Sequence, residues 1–268
     1  MLVRYLIVKY PYDLMDIKKL VFRLQDFYIL SIKSPFGSFR RPFYFREIIE
    51  QMDYMGTGSL FIVVLVSLFI GMALSLQISA ELAEMGMKMY TGKIVGLVII
   101  RELGPVSIAL IFAGRVGSGV ASELGSMMLG HQVDILRVHG VNPLKKLVTP
   151  RVISAILMLP VLTVIGDAVA LFGGYFISTF VSHQSGSFYW SQIQDIMDFE
   201  NIFAGLTKPF VFGYIIACVS CYMGLSTKGG ASGLRSSTTT AVVISMTMII
   251  VFDFLLTRIL LYFLGANV

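Results

Sequence analysis

Charge is scarce in this chain of 268 residues: Asp, Glu, Lys and Arg together make up 14%, against about a quarter in a soluble domain. With 56% hydrophobic residues and a mean hydropathy of +0.81, an ordinary solvated surface is excluded. The composition describes a polytopic membrane protein of one domain. Cysteine is almost missing too. The only two, Cys218 and Cys221, stand a helical turn apart in an apolar run without a second ligand pair. They read as small buried packing residues, since a structural zinc site takes four ligands. The three histidines, His131, His139 and His183, form no HExxH, and no GxSxG occurs. A self-contained hydrolase is therefore not expected.

A nucleotide site is lacking as well. Thr91-Gly92-Lys93-Ile94 resembles the end of a P-loop, but Met87 stands where its first glycine would be and Ile94 where its Ser/Thr would bind magnesium. Gly117-Ser118-Gly119-Val120-Ala121-Ser122 is one glycine short of a dinucleotide fingerprint and lies in apolar helical sequence. No basic-aromatic nucleic-acid module is visible. The formal charge of +5 reads instead as the positive-inside bias of cytoplasmic loops. The first twenty residues hold no cleavable signal: the apolar run is too short and no small-residue cleavage site follows.

What is abundant is long apolar sequence. The expected fold is all-α, with about five transmembrane helices after an N-terminal amphipathic interfacial helix. The predicted spans are 59–78, 94–125, 152–181, 202–223 and 240–264, each long enough to cross about 30 Å of hydrocarbon. The third is interrupted by Pro160 and Asp167, and the fourth carries Lys208-Pro209. Ahead of them, Ile17, Leu20, Val21, Leu24 and Tyr28 recur at helical spacing within an amphipathic stretch at 14–36. Residues 43–54 are expected to form a second interfacial segment. This divides the chain into an interfacial region at 1–58 and a membrane-spanning region at 59–268.

Loop charges orient it. Residues 1–58 hold nine Lys/Arg (Arg4, Lys9, Lys18, Lys19, Arg23, Lys33, Arg40, Arg41 and Arg46). The loop at 126–151 holds Arg137, Lys145, Lys146 and Arg151, and that at 227–239 holds Lys228 and Arg235. By contrast, 182–201 carries only Asp195, Asp198 and Glu200. Five spans with a cytoplasmic N-terminus and an external C-terminus fit this pattern.

Several features stand out within the spans. Gly117, Ala121 and Gly125 repeat every four residues and let helix backbones approach, within one chain or across a dimer. Arg101-Glu102 opens the second span just before Gly104-Pro105, which loosens the backbone. Arg101 can hold a phosphate or carboxylate head group, and Glu102 a basic partner. Asp167, Lys208, Asp253 and Arg258 are further charges in apolar sequence, suited to helix-to-helix pairing or to a proton relay. His131 to Gly140 (HQVDILRVHG) reads as a short cytoplasmic helix. Val133 and Leu136, joined by Ile135, form its apolar side, while Gln132, Asp134, Arg137 and His139 are polar; Gly140 stops it. Such a helix is a place for a partner ATPase to push.

These residues also carry a resemblance. RELGPV (101–106), AGRVGS with ASELG (113–125), QVDILRVHGVNP (132–143), PRVISAILMLP (150–160), FGGY (172–175), GSFYWSQ (186–192) and TTTAVVIS with FDFLLT (238–257) recur in the order found in the MlaE family of ABC-transporter permeases. The chain closely resembles that family from about residue 55 to 258. The resemblance implies a homodimeric, non-catalytic permease of a phospholipid transport system in the bacterial inner membrane, contributing to outer-membrane lipid asymmetry. It implies no cofactor on this chain, with ATP and Mg on a separate cytoplasmic ABC ATPase. That ATPase would dock through His131, Gln132, Asp134, Arg137 and Gly140. It also implies an external MCE-domain (MlaD-like) partner and allows a small cytoplasmic STAS-domain subunit. The family's lipid pocket lies at the dimer axis on the outer side, which here involves Leu74 and Gln77 of the first span with Arg101 and Glu102.

Two other functions compete: an ion-coupled secondary transporter using Asp167, Lys208 and Asp253, and an integral-membrane enzyme acting on lipids. The absence of internal repeats weighs against many secondary transporters, and the absence of a nucleophile or metal cluster weighs against the enzyme.

Overall fold

The structure, a computed structural model, describes residues 25–32 and 44–263. We label its helices α1 (25–32), α2 (Phe45–Glu84), α3 (Lys88–Leu129), α4 (Gln132–Val138), α5 (Leu144–Phe180), α6 (Gly186–Ile196), α7 (Phe199–Leu225) and α8 (Gly230–Phe263). Among the described residues, α2, α3, α5, α7 and α8 are long and apolar enough to cross a membrane. The fold is all-α, as the apolar runs require: in hydrocarbon a helix satisfies its own backbone groups.

The spans begin and end differently from the apolar runs. The second interfacial segment expected at 43–54 is not a separate element: from Phe45 on, its residues are the first turns of α2, which runs unbroken to Glu84. The helix bonding of α5 is likewise uninterrupted through Pro160 and Asp167, and that of α7 through Pro209. A proline removes one donor and crowds one carbonyl, and neighbouring helices compensate for this within a membrane bundle. Residues 182–201 are more than an acidic loop, because 186–196 form α6. Most of the amphipathic stretch at 14–36 lies outside the described residues. Its described part, α1, packs on α7: Phe27 meets Tyr222 edge-on at 5.5 Å, and Tyr214 donates to the Ser31 carbonyl at 2.9 Å.

The most extensive helix pair is α2 with α5. Its seam on α2 is a ladder of small residues one turn apart: Ser59, Val63, Ser67, Gly71, Ser75 and Ser79, all buried. A Cβ on Gly71 would lie 1.9 Å from the Ala170 carbonyl oxygen, so the backbones touch there. Ser75 donates to the Gly174 carbonyl at 3.0 Å and shares a hydrogen bond with Ser178. Close packing and interhelical hydrogen bonds drive association where lipid removes the hydrophobic incentive. The Gly117, Ala121 and Gly125 stripe is used inside the chain, against α7 and the start of α8. Gly117 faces Ser220, Gly125 faces Thr227 and Leu234, and Gly224 of α7 sits on Ala121. Cys218 and Cys221 form no disulfide and are buried in the main core, which α3, α5 and α7 build. A smaller core at the other end joins Val95, Ile99 and Ile100 to Ala170, Leu171 and the α6 residues Tyr189, Ile193 and Ile196. Gln192 of α6 fastens this end by accepting from the Lys93 amide at 3.0 Å. Burial pushes the Tyr189 phenol up in pKa, so it remains a donor, 3.3 Å from the Leu171 carbonyl.

Candidate functional site: an ion cluster beside an unpaired arginine

Arg101 and Glu102 sit on a π-helical turn, Ile99–Leu103, where the Gly104 amide bonds the Ile99 carbonyl, five residues back. Pro105, next in the chain, explains the wider turn. It has no N–H for the Arg101 carbonyl, and its ring crowds that carbonyl out of the ordinary ladder. Against this turn packs Gly205 of α7. A Cβ at Gly205 would lie 2.2 Å from the Ile100 carbonyl oxygen. That close approach delivers Lys208, one turn further along α7, to Glu102.

Lys208 is 1% exposed, and its Nζ donates to Glu102 Oε2 at 2.6 Å. Asp253 of α8 supplies a second carboxylate 2.9 Å away, an ion pair whose angle is not that of a hydrogen bond. Thr257, one turn beyond Asp253 on the same face of α8, donates to Glu102 at 3.2 Å. A buried ammonium is tolerated only when opposite charges compensate its lost hydration. Two carboxylates around one ammonium leave one excess negative charge, and the Arg101 guanidinium lines the same cleft without pairing with either carboxylate. The cluster grades outward: Asp253 is 21% and Glu102 41% exposed. Arg101, Glu102, Lys208, Thr257 and the apolar Ala204, Leu260 and Leu261 line a small, open cleft of about 20 Å³ there. Among the described residues Arg101 makes no ion pair, and its Nε is buried without a hydrogen-bond partner. The cleft therefore offers a fixed positive charge, a part-exposed carboxylate and an apolar rim.

Leu74 and Gln77, also expected at a lipid pocket, stand apart from this cleft. Leu74 packs on the smaller core beside Ile99 and Ile100, and Gln77 is exposed near the end of α2. Neither lines the cleft. Of the embedded charges, Lys208 and Asp253 converge, Asp167 stands apart on α5 against Gly104, and Arg258 is exposed. Thr257 is an addition that sequence reasoning misses. Its one signal is the four-residue spacing to Asp253, which shares a helix face.

Two further cations tie the spans together. Arg115, on a second π turn (Ala113–Gly117), donates to Ser59 Oγ at 2.7 Å and lies over the Tyr54 ring at 5.6 Å. Arg151 at the start of α5 is buried, pairs with Glu123 near the end of α3 at 2.8 Å, and donates to the Leu147 carbonyl. This pair clasps the base of the segment that carries α4.

Helix α4 is pinned at both ends by left-handed backbone: His131 has φ 56° and Gly140 φ 72°. Past its C-terminus the Val141 amide bonds the Leu136 carbonyl, and the Gly140 amide the Arg137 carbonyl, a glycine-dependent stop. Asp134 accepts from Arg137 at 3.2 Å and faces His131 at 3.5 Å. Gln132 is exposed. Val133 is buried and Leu136 packs on the core, but Ile135 does not join them. It is 54% exposed, and Val138 is 85% exposed. The helix thus presents two apolar side chains and a charged pair outward.

A family profile described as "Permease MlaE" matches residues 48–259, about four-fifths of the chain. The chain belongs to the MlaE permease family. Its bacterial relatives agree along most of their length. A probable ABC transporter permease protein of Rickettsia bellii is 36% identical over 233 residues, covering 87% of this chain and 90% of the relative. The intermembrane phospholipid transport system permease protein MlaE of Haemophilus influenzae is 33% identical over 219 residues, covering 81% and 84%. The chloroplastic protein trigalactosyldiacylglycerol 1 of Arabidopsis thaliana is 37% identical over 231 residues, covering 84% of this chain and 63% of that one. The matched stretch of this MlaE permease contains every residue of the ion cluster and all of α4.

Proposed function

We propose that this MlaE-family chain is the permease subunit of an ATP-driven phospholipid transporter, in which the cleft at Arg101 holds the anionic part of the head group. The unpaired guanidinium beside an apolar rim carries the reading. Arginine stays charged in any surroundings and binds phosphate oxygens through two parallel hydrogen bonds. In a setting of lowered dielectric such a contact is stronger, and a matching anion offsets the cost of burying the cation. The phospholipid transport system to which the Haemophilus relative belongs supports the lipid class.

Energy enters from outside the chain in this scheme. A cytoplasmic ABC ATPase carrying ATP and Mg docks on α4, where Ile135 and Val138 are the apolar anchors and Asp134–Arg137 the polar contact. Two copies of the chain form the permease, an MCE-domain protein receives or supplies lipid outside, and a STAS-domain subunit joins on the cytoplasmic side. The membrane is the bacterial inner membrane, with the N-terminus cytoplasmic and the C-terminus periplasmic, and the transport serves outer-membrane lipid asymmetry.

The head-group role is tested by Arg101→Ala. The complex is expected to assemble normally while co-purified phospholipid per complex falls about tenfold, the equivalent of roughly 1.4 kcal/mol. Normal lipid content and normal transport in a well-assembled variant would sink it. The docking role is tested by Val138→Asp and Arg137→Glu, both on an exposed helix where folding is indifferent to them. Membrane insertion is expected to be unchanged and ATPase association to drop at least tenfold; full association in both variants would remove α4 from the coupling path.

A further inference from the structure

We propose that α6 lies in the membrane interface, at the end of the bundle opposite α4. There Phe172, Tyr175 and Trp190 form one aromatic surface against the head-group and upper acyl region of the phospholipid bilayer. This placement does not depend on the head-group reading of Arg101.

A short helix that joins two spans can stand in water beyond their ends. This one folds back beside them. The Tyr189 hydroxyl donates to the Leu171 carbonyl at 3.3 Å. Leu171 precedes the end of α5 at Phe180 by nine residues, about 14 Å of helix. On the other side, α6 rests on the first turns of α3. A Cβ on Gly92 would lie 3.2 Å from the Tyr189 carbonyl oxygen, so only a glycine admits the α6 backbone this closely. Gln192 fixes the level twice, accepting from the Lys93 amide at 3.0 Å and donating to the Met89 carbonyl. Ile193 and Ile196 share the smaller core with Val95, Ile99 and Ile100. Helix α6 therefore runs alongside apolar turns of two spans rather than past them.

Its faces suit that level. Tyr189, Gln192, Ile193 and Ile196 are buried against the bundle. Ser187, Ser191, Gln194 and Asp195 are exposed and give the far side a polar surface. Trp190 stands on the flank between the two, 37% exposed. Its ring centroid is 5.7 Å from that of Tyr175, and Tyr175 stacks on Phe172 at 6.2 Å. Phe172 is exposed on α5, as are Phe176 and Phe180 further along the same span. One aromatic strip thus passes without a break from the outward face of a membrane span onto α6. That continuity names the occupant: the lipid that covers the span also meets Trp190. Tryptophan and tyrosine combine an apolar ring with a polar N–H or O–H, which favours the boundary between hydrocarbon and water. The polar far side of α6 then faces head groups and water.

Trp190 is the only tryptophan in the chain, so its fluorescence reports on α6 alone. The full-length chain is reconstituted in phosphatidylcholine vesicles whose lipid carries bromine either near the glycerol or near the chain ends. Acrylamide serves as the quencher in water, and Trp190→Phe supplies the blank. Bromine near the glycerol is expected to quench Trp190 at least twofold more than bromine near the chain ends. A second probe, Ser187→Trp in the Trp190→Phe background, sits on the polar face. Acrylamide is expected to quench it at least threefold more strongly than Trp190. Strong acrylamide quenching of Trp190 without bromine quenching would put α6 in water and overturn the placement. Quenching by neither would mean that protein, a second copy or a partner, covers the strip, and would overturn it too. Bromine quenching that is equal from both positions, or stronger from the chain ends, rejects the interfacial level. Equal lipid quenching at positions 187 and 190 rejects the orientation. Should the Ser187→Trp chain fail to reconstitute, Trp190 in the parent chain decides.

Discussion

Replacing Lys208 by methionine is expected to cut the yield of folded protein at least tenfold and to abolish lipid transport in what remains. The ammonium is almost fully buried between Glu102 and Asp253, so removing it leaves two carboxylates facing each other in a poorly hydrated place. Losing one partner of a buried charge cluster costs about 3–5 kcal/mol, which is comparable to the net stability of many domains. Yield in detergent by size-exclusion chromatography and transport into acceptor vesicles measure the two effects. The triple variant Lys208→Met, Glu102→Gln and Asp253→Asn separates them. Neutralising the whole cluster removes the repulsion, and apolar replacements of buried ion triads are often neutral, so folding is expected to return while transport does not. Normal transport by the triple variant would reduce the cluster to a fastener between α3, α7 and α8.

Gly71→Val is expected to be the most damaging single change on α2. The obstruction is a backbone carbonyl, that of Ala170, 1.9 Å from the new Cβ. A rotamer change cannot relieve this, so α2 and α5 must separate, and the neighbouring contacts at Ser67, Ser75 and Gly174 are lost with them. Overpacking typically costs about 1–3 kcal/mol where side chains can give way; here the expected loss exceeds that and the chain is degraded rather than assembled. Phe69→Val, on the exposed face of the same helix, is the control and is expected to express normally. Ser75→Ala, which removes the hydrogen bond to Gly174, is expected to cost about 1 kcal/mol. Equal yields for Gly71→Val and Phe69→Val would mean that the helices do not pack at this distance.

The sequence by itself determined the class, the number of spans, the family and the short helix that α4 became. Apolar length and glycine or proline stops act locally, and each span is committed by its own twenty or so residues whatever its neighbours do. It also located the embedded charges, because an ionisable residue in apolar sequence is conspicuous in one dimension. Which charges meet was decided only by the tertiary structure. Lys208 is 106 residues from Glu102, and its choice of Glu102 and Asp253 over Asp167 depends on the rotation of α7, α3 and α8 about their axes. That rotation is set by contacts with no strong signature: Gly205 against the Ile100 carbonyl, Asp167 against Gly104, and the serine and glycine ladder of α2 against α5. The π turn at Ile99–Leu103 shifts the phase of the later turns of α3 relative to regular α geometry, so a regular helical wheel misplaces them. Small residues and phase shifts contribute little to hydropathy yet set the distance and angle at which helices pack, and ion pairing is sensitive to both.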